Sequence, residues 1–132
     1  MLVATCAVLV AIGVVLGVIE AFLVPQRLFG GVEGLSAALA LLGNALVGSF
    51  AGIGTRSTTG PVCFLAGWIV SLGVLIVYAP GGDVIIPGAL PSDPGVVDAG
   101  MAYLILGIFG GGIALLVTSR YTKRVDPPTA SV

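Results

Sequence analysis

Four long apolar stretches, running about Leu2–Val24, Leu35–Gly54, Pro61–Tyr78 and Val97–Thr118, occupy most of this 132-residue chain and carry almost no charge. At about 1.5 Å of rise per residue, each is about 27–35 Å long as a helix, matching the hydrocarbon core of a bilayer. Hydrocarbon offers no partner to free backbone groups, so such stretches cross as helices rather than as open strands. The pattern predicts an all-α, polytopic membrane protein of the cell's inner membrane. Four transmembrane helices form one bundle over residues 1–118, and the tail, 119–132 with its Pro127-Pro128, is predicted to be disordered.

Composition narrows the function classes. Hydrophobic residues make up 58% of the chain and charged residues 8%, against about a quarter charged in soluble domains. The bilayer is therefore the chain's first partner. A net charge of −1 with no basic run argues against nucleic acid. The chain has no His, which removes the commonest general base and metal ligand together. Nothing resembles a P-loop, a dinucleotide fingerprint or a catalytic triad. Gly110-Gly111-Gly112 lies inside an apolar stretch and reads as packing material rather than a phosphate cradle. No cofactor and no enzymatic activity are expected. The first stretch lacks a basic n-region and a small-x-small cleavage site, so it reads as a retained span rather than a signal peptide.

Charge between the spans predicts the orientation. Arg120, Lys123 and Arg124 follow the fourth span and belong in the cytoplasm by the positive-inside rule. The 79–96 loop, with Asp83 and Asp93 and no Lys or Arg, then lies outside, and the 55–60 turn with Arg56 inside. The 25–34 loop lies outside, where Glu33 offsets Arg27, and both termini are expected in the cytoplasm. Local punctuation agrees. Val24-Pro25 closes the first span, Thr58-Thr59-Gly60-Pro61 reads as a helix cap with proline in the first turn, and Ala79-Pro80-Gly81-Gly82 is a stop and turn.

Small residues recur every fourth position within the spans: Gly13 and Gly17; Asn44, Gly48 and Gly52; Cys63, Gly67 and Ser71; Tyr103, Gly107 and Gly111. Such rows let helix backbones approach closely where lipid supplies no hydrophobic force. Packing within one subunit is the simpler use; a face for a second copy or a partner protein is the sharper one.

Few polar side chains interrupt the spans. Glu20 is the one carboxylate well inside a span, and intramembrane carboxylates belong by default to proton or cation pathways. It stands about seven residues, on the order of 10 Å, from the middle of its span. At that depth an acid can snorkel to the interface, or join Ser36, Tyr78 and Tyr103, with Arg27 just beyond. Asn44 and Trp68 fall near the middle of their spans, where a carboxamide and an indole N–H both need partners. An Asn44–Trp68 or Asn44–Ser71 contact is expected as structural glue. Cys6 and Cys63 share a depth near the inner face. Two thiols could serve as a metal or redox pair, but no His or carboxylate completes a site. They read as small packing residues in a reducing half of the membrane. Asp83, Asp93 and Asp98 match no calcium loop.

Gly67-Trp68, Gly82-Asp83 after a tight turn, and Tyr103-Leu104-x-x-Gly107 together resemble a family of small four-span actinobacterial membrane proteins without an assigned function. The resemblance runs from about residue 40 onward and implies a four-helix inner-membrane protein with no catalytic residues to carry over. The size is also similar to that of the small multidrug resistance transporters, antiparallel dimers whose coupling glutamate lies in the middle of the first span. Here Glu20 stands further outward and the charge bias favours a single orientation. Two functions follow as expectations. One is a non-enzymatic accessory or scaffold subunit docking on a larger membrane complex through its glycine rows. The other is a small homo-oligomeric transporter with Glu20 as its coupling residue.

Overall fold

The computed structural model describes residues 2–24, 35–77 and 94–125, and the side chains of all of these except 94–99. They form four α-helices: α1 (Leu2–Phe22), α2 (Leu35–Thr55), α3 (Thr59–Val77) and α4 (Pro94–Val125). Each is long and apolar enough to cross a membrane, α4 through Gly100–Val125. The chain is an all-helical, multi-pass protein whose spans pack as one bundle. Arg27, Tyr78, Asp83 and Asp93 lie outside the described residues, as does the side chain of Asp98.

The connection between α2 and α3 shows how local chemistry sets helix ends. Arg56 N–H donates to the Ile53 carbonyl at 3.2 Å and Ser57 N–H to the Gly52 carbonyl at 3.2 Å, with Arg56 at φ 50°. This closure satisfies the last carbonyls of a helix through a left-handed residue that is usually glycine. α3 follows at once. Ser57 Oγ accepts from Thr59 N–H at 3.1 Å, and Pro61 sits in the first turn, where its missing N–H leaves no intrahelical bond unmade. α4 extends to Val125, beyond the expected end of the span at 118, so Arg120, Lys123 and Arg124 ride on helix.

Neighbours in sequence are not the chief neighbours in space. α1 packs mainly on α3, α2 mainly on α4, and α2 joins the two pairs through α3. Within each pair the helices run parallel. Going up α1, Cys6 meets Cys63, Gly13 meets Phe64 and Gly17 meets Ser71; going up α2, Gly48 meets Ala114 and Gly52 meets Thr118. The start of α1 and the end of α4 therefore share one end of the bundle, with Arg56, Arg120, Lys123 and Arg124.

The glycine rows make these contacts. A Cβ on Gly13 would strike the Phe64 carbonyl oxygen, and one on Gly67 the Val10 carbonyl oxygen, so backbone lies on backbone where α1 crosses α3. Gly111 faces Leu65 of α3, and Gly110 faces the Leu41 carbonyl of α2. Each of these approaches excludes a side chain, which is how small residues bring membrane helices into dispersion contact. Gly54, Gly73 and Gly112, by contrast, face open space.

The cysteines depart from the expectation of two reduced packing residues: Cys6 and Cys63 are joined by a disulfide, with Cα atoms 5.5 Å apart. The parallel register of α1 on α3 is the reason, since it sets the first turns of the two helices side by side.

Candidate functional site

The buried polar side chains gather around the indole of Trp68. Trp68 is 1% exposed, and its Nε1 donates to Glu20 Oε2 at 2.9 Å. Its far edge rests on Gly107, where a Cβ would collide with Cη2 and Cζ2, and a Cβ on Gly17 would come 3.1 Å from Cδ1. Gly107 is thus the wall of a slot that only glycine leaves wide enough for the indole, and Gly17 lines its other side, where it also makes room for Ser71 Oγ. Tyr103 packs against the same ring at a centroid distance of 5.7 Å, and its hydroxyl donates to the Gly17 carbonyl at 3.2 Å.

Glu20 is only 2% exposed, so it does not snorkel. The physical reason is the tilt of side chains toward a helix's N-terminus. Glu20 stands near the C-terminal end of α1, so its carboxyl leans back into the bundle rather than out toward the nearer surface. There Oε1 faces Gly43 of α2, where a Cβ would come within 2.7 Å. Glu20 and Trp68, placed by their backbones at different depths, are therefore in direct contact.

Asn44, fully buried, reaches neither Trp68 nor Ser71. Its Nδ2 donates to the Gly107 carbonyl at 3.0 Å, tying α2 to α4. Ser71 Oγ instead donates to the carbonyl of Trp68 at 2.7 Å. The expected Asn44–Trp68 or Asn44–Ser71 contact is not formed; the carboxamide bonds across to α4 instead. Depth alone could not choose among the helices, because it does not reveal that α2 lies on α4. Ser36 is also buried, but the described contacts do not join it to Glu20.

All four helices contribute to this cluster: Glu20 from α1, Asn44 from α2, Trp68 from α3 and Tyr103 from α4. Two acceptor atoms in it, Glu20 Oε1 and Asn44 Oδ1, are buried without a hydrogen-bond partner. Among the described residues every basic side chain lies at the opposite end of the bundle. A carboxylate held in hydrocarbon with one bare oxygen calls for a positive partner, either a proton or a cation. Thr118, which the sequence reading did not single out, is a third buried group without a partner at Oγ1, packed into the space left by Gly52. The only hint of it in the sequence is a threonine near the end of an apolar run.

Pairing of distant helices, rather than any single motif, assembles this arrangement. No protein-family pattern, no curated protein and no solved structure matches the chain.

Proposed function

We infer that this chain is a small transport protein of the cell membrane, in which Glu20 is the proton- or substrate-coupling carboxylate. The observation that carries the reading is the state of that carboxyl: buried, held by Trp68 through Oε2, and bare at Oε1. A carboxyl kept for glue alone gains most when both oxygens are bonded, because an unpartnered buried acceptor costs about 1–3 kcal/mol. A bare oxygen at the meeting point of four helices is instead a place where binding a positive species changes the local energy. Transport follows when that change is coupled to movement of the helices. By the charge bias, the end bearing Arg56, Arg120, Lys123 and Arg124 faces the cytoplasm, and both termini with it.

The test is flux in proteoliposomes under an imposed pH gradient, with an entrapped pH-sensitive dye. Wild type should dissipate the gradient and Glu20→Gln should not, while both keep the same helical content. A wild type that moves no protons in either direction, with or without candidate cations, would sink the reading.

A second reading, an accessory or scaffold subunit, is favoured by α1. Val8, Ile12, Val15 and Ile19 form an exposed apolar stripe along it, and beyond α3 this helix has little cover from the bundle. The glycine rows serve contacts within the chain, so such docking would use this aliphatic face. Stoichiometric recovery with a larger complex on native mass spectrometry would support that role; recovery as a bare homo-oligomer would favour transport.

A further inference from the structure

The geometry points to Cys6–Cys63 as a thiol–disulfide exchange site, opened by a dithiol, that controls how α1 sits on α3 and hence whether Glu20 reaches Trp68. Two of the ties beyond packing that hold this helix pair stand near opposite ends of it. One is the disulfide in the first turns; the other is the Glu20–Trp68 hydrogen bond. The two positions on α1, Cys6 and Glu20, are separated by about 21 Å of helix. Between them glycine lies on backbone at Gly13 and Gly67, which fixes distance more than rotation, and only at Gly17 do side chains of α3, Ser71 and Trp68, come against α1. Because α1 has little contact with α2, α3 sets most of its register, with one tie from α4 in the Tyr103 hydroxyl on the Gly17 carbonyl. The disulfide is the one covalent link in that register among the described residues.

The site is open to attack from one side. Cys63 is 8% exposed and borders one cleft at the bundle end, whereas Cys6 is partly exposed and borders that cleft and a second one, both shared with Leu2 and Thr59. A reductant thiolate approaching there meets the Cys6 sulfur. The S–S bond breaks as a mixed disulfide forms on Cys6, and Cys63 leaves as a thiolate that takes up a proton. The second thiol of the reductant then attacks the mixed disulfide, releasing Cys6 as a thiol and the reductant as its own disulfide. Two electrons and two protons pass from the dithiol to the pair. With the basic end in the cytoplasm, as proposed above, the cell's own dithiol pool faces this site. The inference concerns helix register and stands whether or not Glu20 carries a proton.

Trp68 is the only tryptophan of the chain, so its fluorescence reports the contact directly. The experiment uses the full chain in nanodiscs of phosphatidylethanolamine and phosphatidylglycerol, with and without dithiothreitol, and with a second set containing acyl-brominated lipid as quencher. Reduction should shift the Trp68 emission and increase its quenching, with helical content unchanged, and reoxidation should reverse both. The double variant Cys6→Ser, Cys63→Ser should match the reduced wild type and ignore dithiothreitol. Unchanged emission, once alkylation shows two free thiols, would overturn the proposal. So would loss of helical content on reduction, which would make the bond a fixed staple. In cells, trapping with a membrane-permeant maleimide should find both thiol and disulfide forms, shifting with added diamide. A pair found fully oxidised under every condition would rule out exchange and place this end on an oxidising side. A proton-flux failure leaves these readouts untouched, so the two readings fail separately.

Discussion

Three consecutive glycines in α4 provide a graded test of the packing, because one substitution meets three different surroundings. A Cβ on Gly110 would strike the Leu41 carbonyl oxygen and lie 3.1 Å from both the Ala40 carbonyl oxygen and Asn44 Cβ. A Cβ on Gly111 would lie 2.5 and 2.8 Å from the two methyls of Leu65. One on Gly112 meets nothing. In each case Gly→Ala removes the backbone freedom of glycine and favours the helix by about 1 kcal/mol, so differences among the three isolate the contact. At Gly110 the obstacle is backbone of α2, which can yield only by moving the helix. Overpacking of that kind costs about 1–3 kcal/mol, and after the gain of about 1 kcal/mol the net effect should be destabilisation by up to about 2 kcal/mol. At Gly111 the obstacle is the end of a leucine that can turn aside for about 0.5–1.5 kcal/mol, so the net effect should be near zero. At Gly112 the full gain of up to about 1 kcal/mol should appear. Unfolding in mixed micelles of rising SDS content, followed by Trp68 fluorescence and far-ultraviolet circular dichroism, should give stability rising in the order Gly110→Ala, Gly111→Ala, Gly112→Ala, with about 1–3 kcal/mol between the extremes. Three equal effects, or the reverse order, would show that α4 does not present the faces described.

Glu20→Gln keeps an acceptor for the Trp68 indole and should leave stability within about 0.5 kcal/mol, whereas Glu20→Leu strands the N–H and should cost about 1–3 kcal/mol; equal unfolding midpoints for the two would contradict the hydrogen bond. Asn44→Leu loses a membrane hydrogen bond worth about 0.6–1.7 kcal/mol and adds bulk against Gly107 and Gly110, so the same SDS titration should show destabilisation of about 1–2 kcal/mol. Thr118→Val removes a buried hydroxyl with no partner and should stabilise the fold by about 1 kcal/mol; a drop in stability would reveal a bond the geometry does not contain. Arg56 holds a left-handed conformation that costs a side-chain-bearing residue roughly 1–2 kcal/mol. Arg56→Gly should therefore raise the unfolding midpoint, by up to about 1 kcal/mol after glycine's greater chain entropy is counted, and a lowered midpoint would count against the turn.

The parts of this fold legible in the sequence are those set by one helix at a time. Hydropathy located all four spans, and the Thr59-Gly60-Pro61 signal placed the start of α3 within two residues. The four-residue rows picked out glycines that do face other helices. Relations between helices were not legible. Hydropathy is blind to which span lies on which, so depth alone points Asn44 toward α3 when its partner is Gly107 of α4. The cysteines share a depth in the sequence too, but the expected reducing side argues for two thiols, and only the pairing of α1 with α3 brings them together. Glu20 was misplaced by a different simplification, in which a side chain is taken to sit at the depth of its backbone. A long acid near the C-terminal end of a span leans inward, and a buried indole reaches across more than a turn to meet it. Depth arithmetic on Cα positions therefore split one cluster into two.

Pairing first with third and second with fourth has a consequence for how the molecule comes into being. A helical hairpin that enters the bilayer can complete itself when its two members are each other's partners. Here neither can. α1 has only lipid along its Gly13 face until α3 arrives, and α2 keeps its Gly52 notch empty and its Gly48 notch half-filled, by Phe64 and Pro61 of α3, until α4 supplies Thr118 and Ala114. Insertion and assembly are thus separated in time, with the last span completing contacts begun by the second. A nascent chain stopped after α3 would display those unfilled notches to the membrane, where the fourth helix of another copy offers the same complementary surface. Domain exchange between neighbouring chains is therefore the characteristic error to expect of this topology when synthesis outpaces folding.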